Sequence, residues 1–169
     1  MNTCILWFRK SLRLNDFKPL LAAAEEKGHD CILPLYILDP DQIGENFQKF
    51  GLNRLKFLIE CLDDLNNQLS SRYNSKLIIL NGKPLEIFEN ILRSSKKSIT
   101  SLFCEYASEP WERKTFSVIT DLFKQENPDT LVKSFSAVHT ILDLNKTIAS
   151  ANFRKPKSMK DMERIFSST

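Results

Sequence analysis

The chain contains little glycine and has no glycine-rich loop. Four glycines occur among 169 residues, at isolated positions, and neither G-x-G-x-x-G nor G-x-x-x-x-G-K-[ST] is present. Both motifs bring backbone N–H groups close to phosphate oxygens. Their absence argues against a nucleotide site of the usual kind. A G-x-S-x-G nucleophile elbow is also missing, so the α/β-hydrolase signature is excluded as well.

The cysteines lack the spacing of a metal or redox motif. They are Cys4, Cys31, Cys61 and Cys104, and no pair forms C-x-x-C. Three of them fall in short apolar runs, where a free cysteine packs as a small hydrophobic residue. We therefore expect four reduced cysteines, no metal site, and a cytoplasmic or nuclear protein.

A strong charge of one sign and a long apolar run are absent too. The chain has 24 basic and 21 acidic side chains, a net charge of +3. This weak balance predicts at most weak binding to nucleic acid and no membrane partner. No apolar run reaches the roughly 18 residues of a spanning helix. Arg9, Lys10 and Arg13 interrupt the N-terminal stretch, unlike a signal peptide.

Five short apolar runs are typical of strands in a parallel sheet that is covered on both faces. They are CILWF (4–8), CILPLYIL (31–38), KLIIL (76–80), SLFCEY (101–106) and TLVKSF (130–135). Proline has no backbone N–H to give to a sheet, so we expect the second strand to begin after Pro34.

Stretches with helical periodicity separate these runs. Residues 17–27 supply the first helix, and in 52–69 leucine and isoleucine recur at steps of three and four, which predicts one apolar stripe. Pro84 and Ser108 introduce two further helices. The alternation predicts an α/β fold: a doubly wound, Rossmann-like, five-stranded parallel sheet with helices on both faces.

In such sheets ligands bind beyond the carboxyl ends of the strands, near the switch in strand order. Loops that follow the first, second and fourth strands should therefore converge. We expect a groove there for a partner or an antenna pigment. Its candidate residues are Arg9, Asp39, Pro40, Glu105, Tyr106, Glu109 and Trp111. No catalytic residue is assigned.

Structural roles compete with this interpretation. Ser108 is a plausible N-cap, Glu109 suits a helix N-terminus, and Pro110 suits a first turn. Asp39-Pro40 could simply be a turn after the second strand. Trp111 is the most distinctive of these residues, since a large ring in a first turn can anchor an interface.

Six segments, in this order, resemble the N-terminal α/β domain of the cryptochrome/DNA photolyase family over roughly residues 4–165. They are LWFRKSLRLND (6–16), YILDP (36–40), GLNRLKFLIECLDDLNNQL (51–69), LNGKP (80–84), EYASEPWERK (105–114) and HTILDLNKTI (139–148). The second, fifth and sixth look most similar to the animal cryptochrome and (6-4) photolyase branch.

The resemblance implies a blue-light photoreceptor, circadian or DNA repair context. In that family a larger helical domain, absent from this sequence, holds FAD. The α/β domain binds an antenna pigment in some members, and in animal cryptochromes its surface binds transcription-factor partners. Ser11, Phe17 and the ERKT that follows Trp111 depart from the usual family residues and weaken antenna binding. We therefore expect no cofactor in this chain, with FAD confined to full-length relatives.

Three functional hypotheses remain open. The first is a cryptochrome-like domain, residues 1–149, that binds a protein partner or regulates a relative, with 150–169 as a basic tail or linker toward the absent helical domain. The alternative is an N-terminal fragment of a (6-4) photolyase-like repair enzyme. A Rossmann-type nucleotide carrier is the weakest, because the glycine loop is missing. For this chain alone we expect no flavin or repair chemistry.

Overall fold

The computed structural model describes residues 1–44, 51–95, 98–136, 144–150 and 153–167. The strands are β1 (Thr3–Phe8), β2 (Cys31–Leu38), β3 (Ile78–Asn81), β4 (Ile99–Glu105) and β5 (Leu131–Phe135). The helices are α1 (Lys18–Glu25), α2 (Pro40–Ile43), α3 (Leu52–Tyr73), α4 (Pro84–Ser95), α5 (Pro110–Glu126), α6 (Leu144–Ala149) and α7 (Met159–Ser167). His139, in the last of the six motifs, lies outside the described residues.

The five strands form one parallel sheet in the order β3-β2-β1-β4-β5. β1 is central, and the chain first builds outward through β2 and β3 before it crosses to β4 and β5. The switch in strand order therefore lies between the carboxyl ends of β1 and β4. The predicted fold class is confirmed.

Two hydrophobic clusters hold the layers together, one on each face of the sheet. Along β1, Leu6 and Phe8 point into the cluster beneath α1 and α3, whereas Ile5 and Trp7 point into the cluster beneath α4 and α5. This alternation follows from the two-residue period of a strand. Phe88 of α4 contacts the Trp7 ring edge-on, with 5.2 Å between centroids, and so ties that helix to the central strand.

The expectation for Pro34 is wrong, because β2 begins at Cys31 and includes the proline, opposite Leu6 of β1. The pairing of β2 with β3 starts only at Leu35. On that side Pro34 therefore lies at a sheet edge, where a missing N–H leaves no ladder partner unsatisfied.

The continuous apolar stripe expected for α3 is only half buried. Leu62, Leu65 and Leu69 are in the core, whereas Leu52 is 80% exposed and Ile59 is exposed as well. A helix of 22 residues is about 33 Å long, while the six residues of β1 span about 20 Å. Since α3 follows β2, its first half extends beyond the carboxyl edge of the sheet.

All four cysteines are free thiols, as predicted, with Cys4 and Cys104 buried and the other two partly buried. Burial raises the pKa of Cys104 to about 12 and that of Cys4 to about 11. Both thiols therefore stay protonated and unreactive at neutral pH. Within the described ranges no helix is long and apolar enough to cross a bilayer, and no cluster of potential metal ligands occurs.

The two halves of α3 provide a matched test of the fold. Leu65→Ala should lower the free energy of unfolding by about 2–5 kcal/mol, because it removes a fully buried side chain. Leu52→Ala, the same change on the same helix, should cost less than about 0.5 kcal/mol. Urea unfolding measures both. Equal losses would contradict the placement of α3.

Candidate functional site

Glu105, the last residue of β4, connects the two strands at the switch point. Its side chain is 0% exposed. The Ser11 backbone N–H donates to its two carboxylate oxygens at 2.9 and 3.1 Å, and the Lys10 backbone N–H donates to Oε1. A carboxylate from β4 thus holds the loop that follows β1. These are charge-assisted hydrogen bonds in a buried setting, the stronger kind.

The same contact closes the usual anion position of the fold. In dinucleotide-binding sheets, N–H groups of the first strand–helix turn face a phosphate. Here the N–H groups of Lys10 and Ser11 face the Glu105 carboxylate instead. The residues of this turn therefore do not fit the phosphate of a dinucleotide cofactor, in agreement with the missing glycine loop.

Ion pairs and a hydrogen bond also join the loop after β1 (residues 9–17, here called the β1 loop) to α5. Arg9 donates to the backbone oxygen of Glu112 at 3.3 Å, and its guanidinium lies 4.7 Å from the Trp7 ring centroid. Lys10 Nζ lies 3.4 Å from Glu112 Oε2 and bonds to Glu109. The start of α5 is therefore fixed to the strand ends by two cations and two carboxylates.

The pKa values of the two glutamates at the start of α5 shift in opposite directions. Glu112 is buried, and this raises the pKa of its carboxyl group, although Arg9 and Lys10 partly oppose the shift. Glu109 is half-exposed, and its hydrogen bond from Lys10 lowers its pKa. At Glu112 the desolvation cost exceeds the help from the two cations, whereas at Glu109 the hydrogen bond from Lys10 outweighs it.

The N-cap of α5 is Glu109, not Ser108 as the sequence suggested. Glu109 has extended backbone angles and Pro110 occupies the first helical position, as expected. The Ser108 hydroxyl lies 3.5 Å from the Glu109 carboxylate and makes no capping bond to the helix. Glu109 also bonds to Lys10, a contact that the local sequence does not reveal.

Asp39 and Pro40 begin the short helix α2. Asp39 is buried, and its carboxylate accepts a bond from the Asp41 N–H at 2.9 Å, as an N-cap does. Pro40 takes the first helical position. In place of the simple turn considered from the sequence, Asp39-Pro40 starts a short helix beside the strand ends.

Five of the seven expected site residues line three neighbouring cavities, whereas Pro40 and Glu105 line none of these three. Glu109 and Trp111 line an open cavity of about 600 Å³, here called the groove, which is bounded by the β1 loop, α2, the first turn of α3 and the first turns of α5. Arg9 and Tyr106 line a second cavity of about 330 Å³ between α5 and β5. Asp39 lines a crevice of only about 10 Å³.

Exposure separates contact residues from supporting ones. Trp111 is 43% exposed and belongs to neither hydrophobic cluster. Arg9 has a side chain that is only 6% exposed, and Asp39 and Glu105 are buried. Those three residues hold the loops in place, while Trp111 and Glu109 face solvent at the groove.

Lys10, Arg54, Glu112 and Lys114 also line the groove and were missed from the sequence. Glu112 could have been found, since it follows Glu109 by three residues and so shares a helix face with it. Lys10 follows Arg9 at the end of β1. Arg54 gave no signal, because only the overhang of α3 brings it to the strand ends.

Glu105→Gln tests the contact at the switch point. The variant keeps one acceptor oxygen but turns an amide toward a backbone N–H, so it should lower the free energy of unfolding by about 1–3 kcal/mol. Glu109→Gln, which removes the same charge from a half-exposed position, should cost less than about 1 kcal/mol. Chemical denaturation compares them. A larger loss in Glu109→Gln would show that Glu105 does not organise the site.

The two opposite pKa shifts predict opposite pH effects. Because folding raises the pKa of Glu112, wild-type stability from this group is greatest in acid and falls as the pH rises through the folded pKa. Glu112→Gln should therefore gain stability relative to the wild type as the pH rises above the usual glutamate pKa of about 4.3. Folding lowers the pKa of Glu109, so the stability it contributes is present above the usual glutamate pKa and is lost as the pH falls through the folded pKa. Glu109→Gln should therefore lose stability relative to the wild type as the pH rises toward about 4.3. Urea unfolding from acid to neutral pH measures both trends, and trends of the same sign would refute the assignment.

Comparisons with known proteins agree with this geometry. The DNA photolyase family model matches residues 4–166. Cryptochrome-1 of Spalax judaei and of Mus musculus are each 34% identical over 161 residues, or 95% of this chain and 26% and 25% of those proteins. Cryptochrome-2 of Gallus gallus is 31% identical over 95% of this chain and 26% of its own length. The chain thus spans about a quarter of these relatives.

Solved structures share the fold. The cryptochrome of Synechocystis sp. PCC6803 superposes with a TM-score of 0.79 at 19% identity, over 100% of this chain and 34% of its own. An archaeal photolyase from Sulfolobus tokodaii gives a TM-score of 0.61 at 22% identity, over 79% of this chain and 29% of its own. The doubly wound sheet, the order of its motifs and a family match that runs almost from end to end lead to one conclusion: this chain belongs to the DNA photolyase family, in the part that corresponds to the N-terminal α/β domain.

Proposed function

We propose that this chain is a partner-binding module whose groove receives a segment of another protein. The observation that carries the proposal is Trp111, a large ring that is 43% exposed at the edge of a 600 Å³ cavity. Aromatic residues of this kind supply much of the energy at protein interfaces. The helix does not need Trp111 for its packing, since Ile119 and Phe123 fill the core beneath α5.

The groove is held in its shape before any partner arrives. The β1 loop is fixed by Glu105, and the first turns of α5 are fixed by Lys10 and Arg9. A rigid receptor surface loses less conformational entropy on binding than a mobile one. A volume of about 600 Å³ accommodates a few side chains of a bound segment.

The relatives support a regulatory role. The curated relatives named above are cryptochromes, and the resemblance implies that animal cryptochromes bind transcription-factor partners through this domain. We propose a partner of the transcription-factor or clock type for this chain too, in the cytoplasm or nucleus. The repair-enzyme alternative has no feature of the site in its favour.

No flavin chemistry is assigned to this chain. The N–H groups at the first strand–helix turn already face Glu105, so a phosphate-bearing cofactor has no place there. We propose that FAD belongs to full-length relatives and that residues 150–169 serve as the tail beyond the α/β domain, with an antenna pigment as the weaker alternative occupant of the groove.

Trp111→Ala is the direct test. Peptides selected from a random phage-displayed library on the wild-type chain should bind the variant about 30-fold more weakly, the effect of a hot-spot side chain worth about 2 kcal/mol. Binding is measured by titration calorimetry.

Leu131→Ala serves as the control, since Leu131 is 44% exposed on β5, away from the groove. It should leave peptide affinity unchanged, and both variants should keep the wild-type melting temperature within a few degrees. If no peptide is selected, or if Trp111→Ala binds as the wild type does, the groove is not a partner site.

A further inference from the structure

We infer that the groove selects acidic partner segments and that Lys114 is the residue that determines this specificity. The inference rests on the proposed function and adds the chemistry of the partner. The groove contains as many carboxylates as cations, three of each. The formal charge of the groove is therefore zero and by itself favours neither acidic nor basic segments. Which of them binds depends on the groove charges that are not already paired within the chain.

The carboxylates of the groove are engaged. Glu112 is buried between Arg9 and Lys10, and Glu109 bonds to Lys10. Asp41 also has an interaction within the chain. A basic partner would have to displace these internal cations or compete with them, and the desolvated Glu112 lies out of its reach.

Lys114 is the groove cation that remains available. It is exposed, and no ion pair or side-chain hydrogen bond involves it within the part of the chain that the structure describes. Lys10, by contrast, is shared between Glu109 and Glu112. Arg54, on the α3 wall of the same cavity, has an interaction within the chain, as Asp41 does, so neither decides the sign. The charge that an approaching segment meets is therefore positive.

Lys114 also lies in the right place to act together with the apolar anchor. It follows Trp111 by three residues in α5, so the two side chains emerge from one face of the helix. A bound segment that sets an apolar residue against the indole ring would carry its next side chains toward the ammonium group. The matching ligand is an apolar residue flanked by aspartate or glutamate.

Three synthetic octapeptides distinguish the possibilities. Each has two central leucines, capped ends and no tryptophan, and the flanking residues are all glutamate, all glutamine or all lysine. Binding is followed by the change in intrinsic fluorescence. This change reports on Trp111, because the buried Trp7 contributes a constant background. We expect the glutamate peptide to bind the wild type at least about tenfold more tightly than the lysine peptide at low salt, and the difference to shrink as salt is added.

Lys114→Glu should reverse this order, so that the lysine peptide binds more tightly than the glutamate peptide. Lys76→Glu is the matched control, since Lys76 is an exposed lysine just before β3, at the opposite end of the sheet. It should keep the wild-type order. Equal binding of all three peptides, or an order that Lys114→Glu leaves unchanged, would overturn the inference while the groove remains a partner site. Failure of every peptide to bind at millimolar concentration would overturn the inference and the proposed function together.

Discussion

The hydrogen bonds that the Glu105 carboxylate accepts from the backbone of the β1 loop are the contact on which the rest of the site depends. Two strands that are adjacent in the sheet but almost a hundred residues apart in sequence end side by side, and one carboxylate joins the loops that leave them. This contact places Lys10 and Arg9 over the start of α5. Those cations then position Glu109 and Glu112, and with them the turn that presents Trp111.

The same carboxylate determines what kind of site this edge can be. Many doubly wound sheets hold a phosphate at the first strand–helix turn, where N–H groups are free to bind it. Here the protein supplies its own anion at that position. The opening that is left lies to one side, between α2, α3 and α5, and it offers an indole ring and an ammonium group rather than a ring of backbone donors. Such a surface suits a protein segment better than a nucleotide.

Sequence patterns predicted the fold well, because strand and helix periods are local properties of the chain. The five strands, the starts of α4 and α5, and the convergence of loops after β1 and β4 all followed from apolar spacing and proline positions. Contacts between distant residues were not predictable in this way. The bond between Glu109 and Lys10 joins residues about a hundred positions apart, and the exposed half of α3 depends on how far the sheet extends. The start of β2 was predicted wrongly at Pro34 because β3 is short. β3 pairs with β2 only from Leu35 onward, so the missing N–H of Pro34 has no strand beside it on that side to bond.

Amide hydrogen exchange at Lys10 and Ser11 tests the central claim most directly. If both N–H groups donate to the buried Glu105 carboxylate, they should exchange as slowly as the core amides of β1, although they lie in a loop. In Glu105→Gln the exchange of both amides should accelerate, while the core amides of α4 keep their protection relative to global unfolding. If in the wild type Lys10 and Ser11 exchange as fast as Asn15 and Asp16, exposed residues of the same loop, Glu105 does not hold the loop and the account is contradicted.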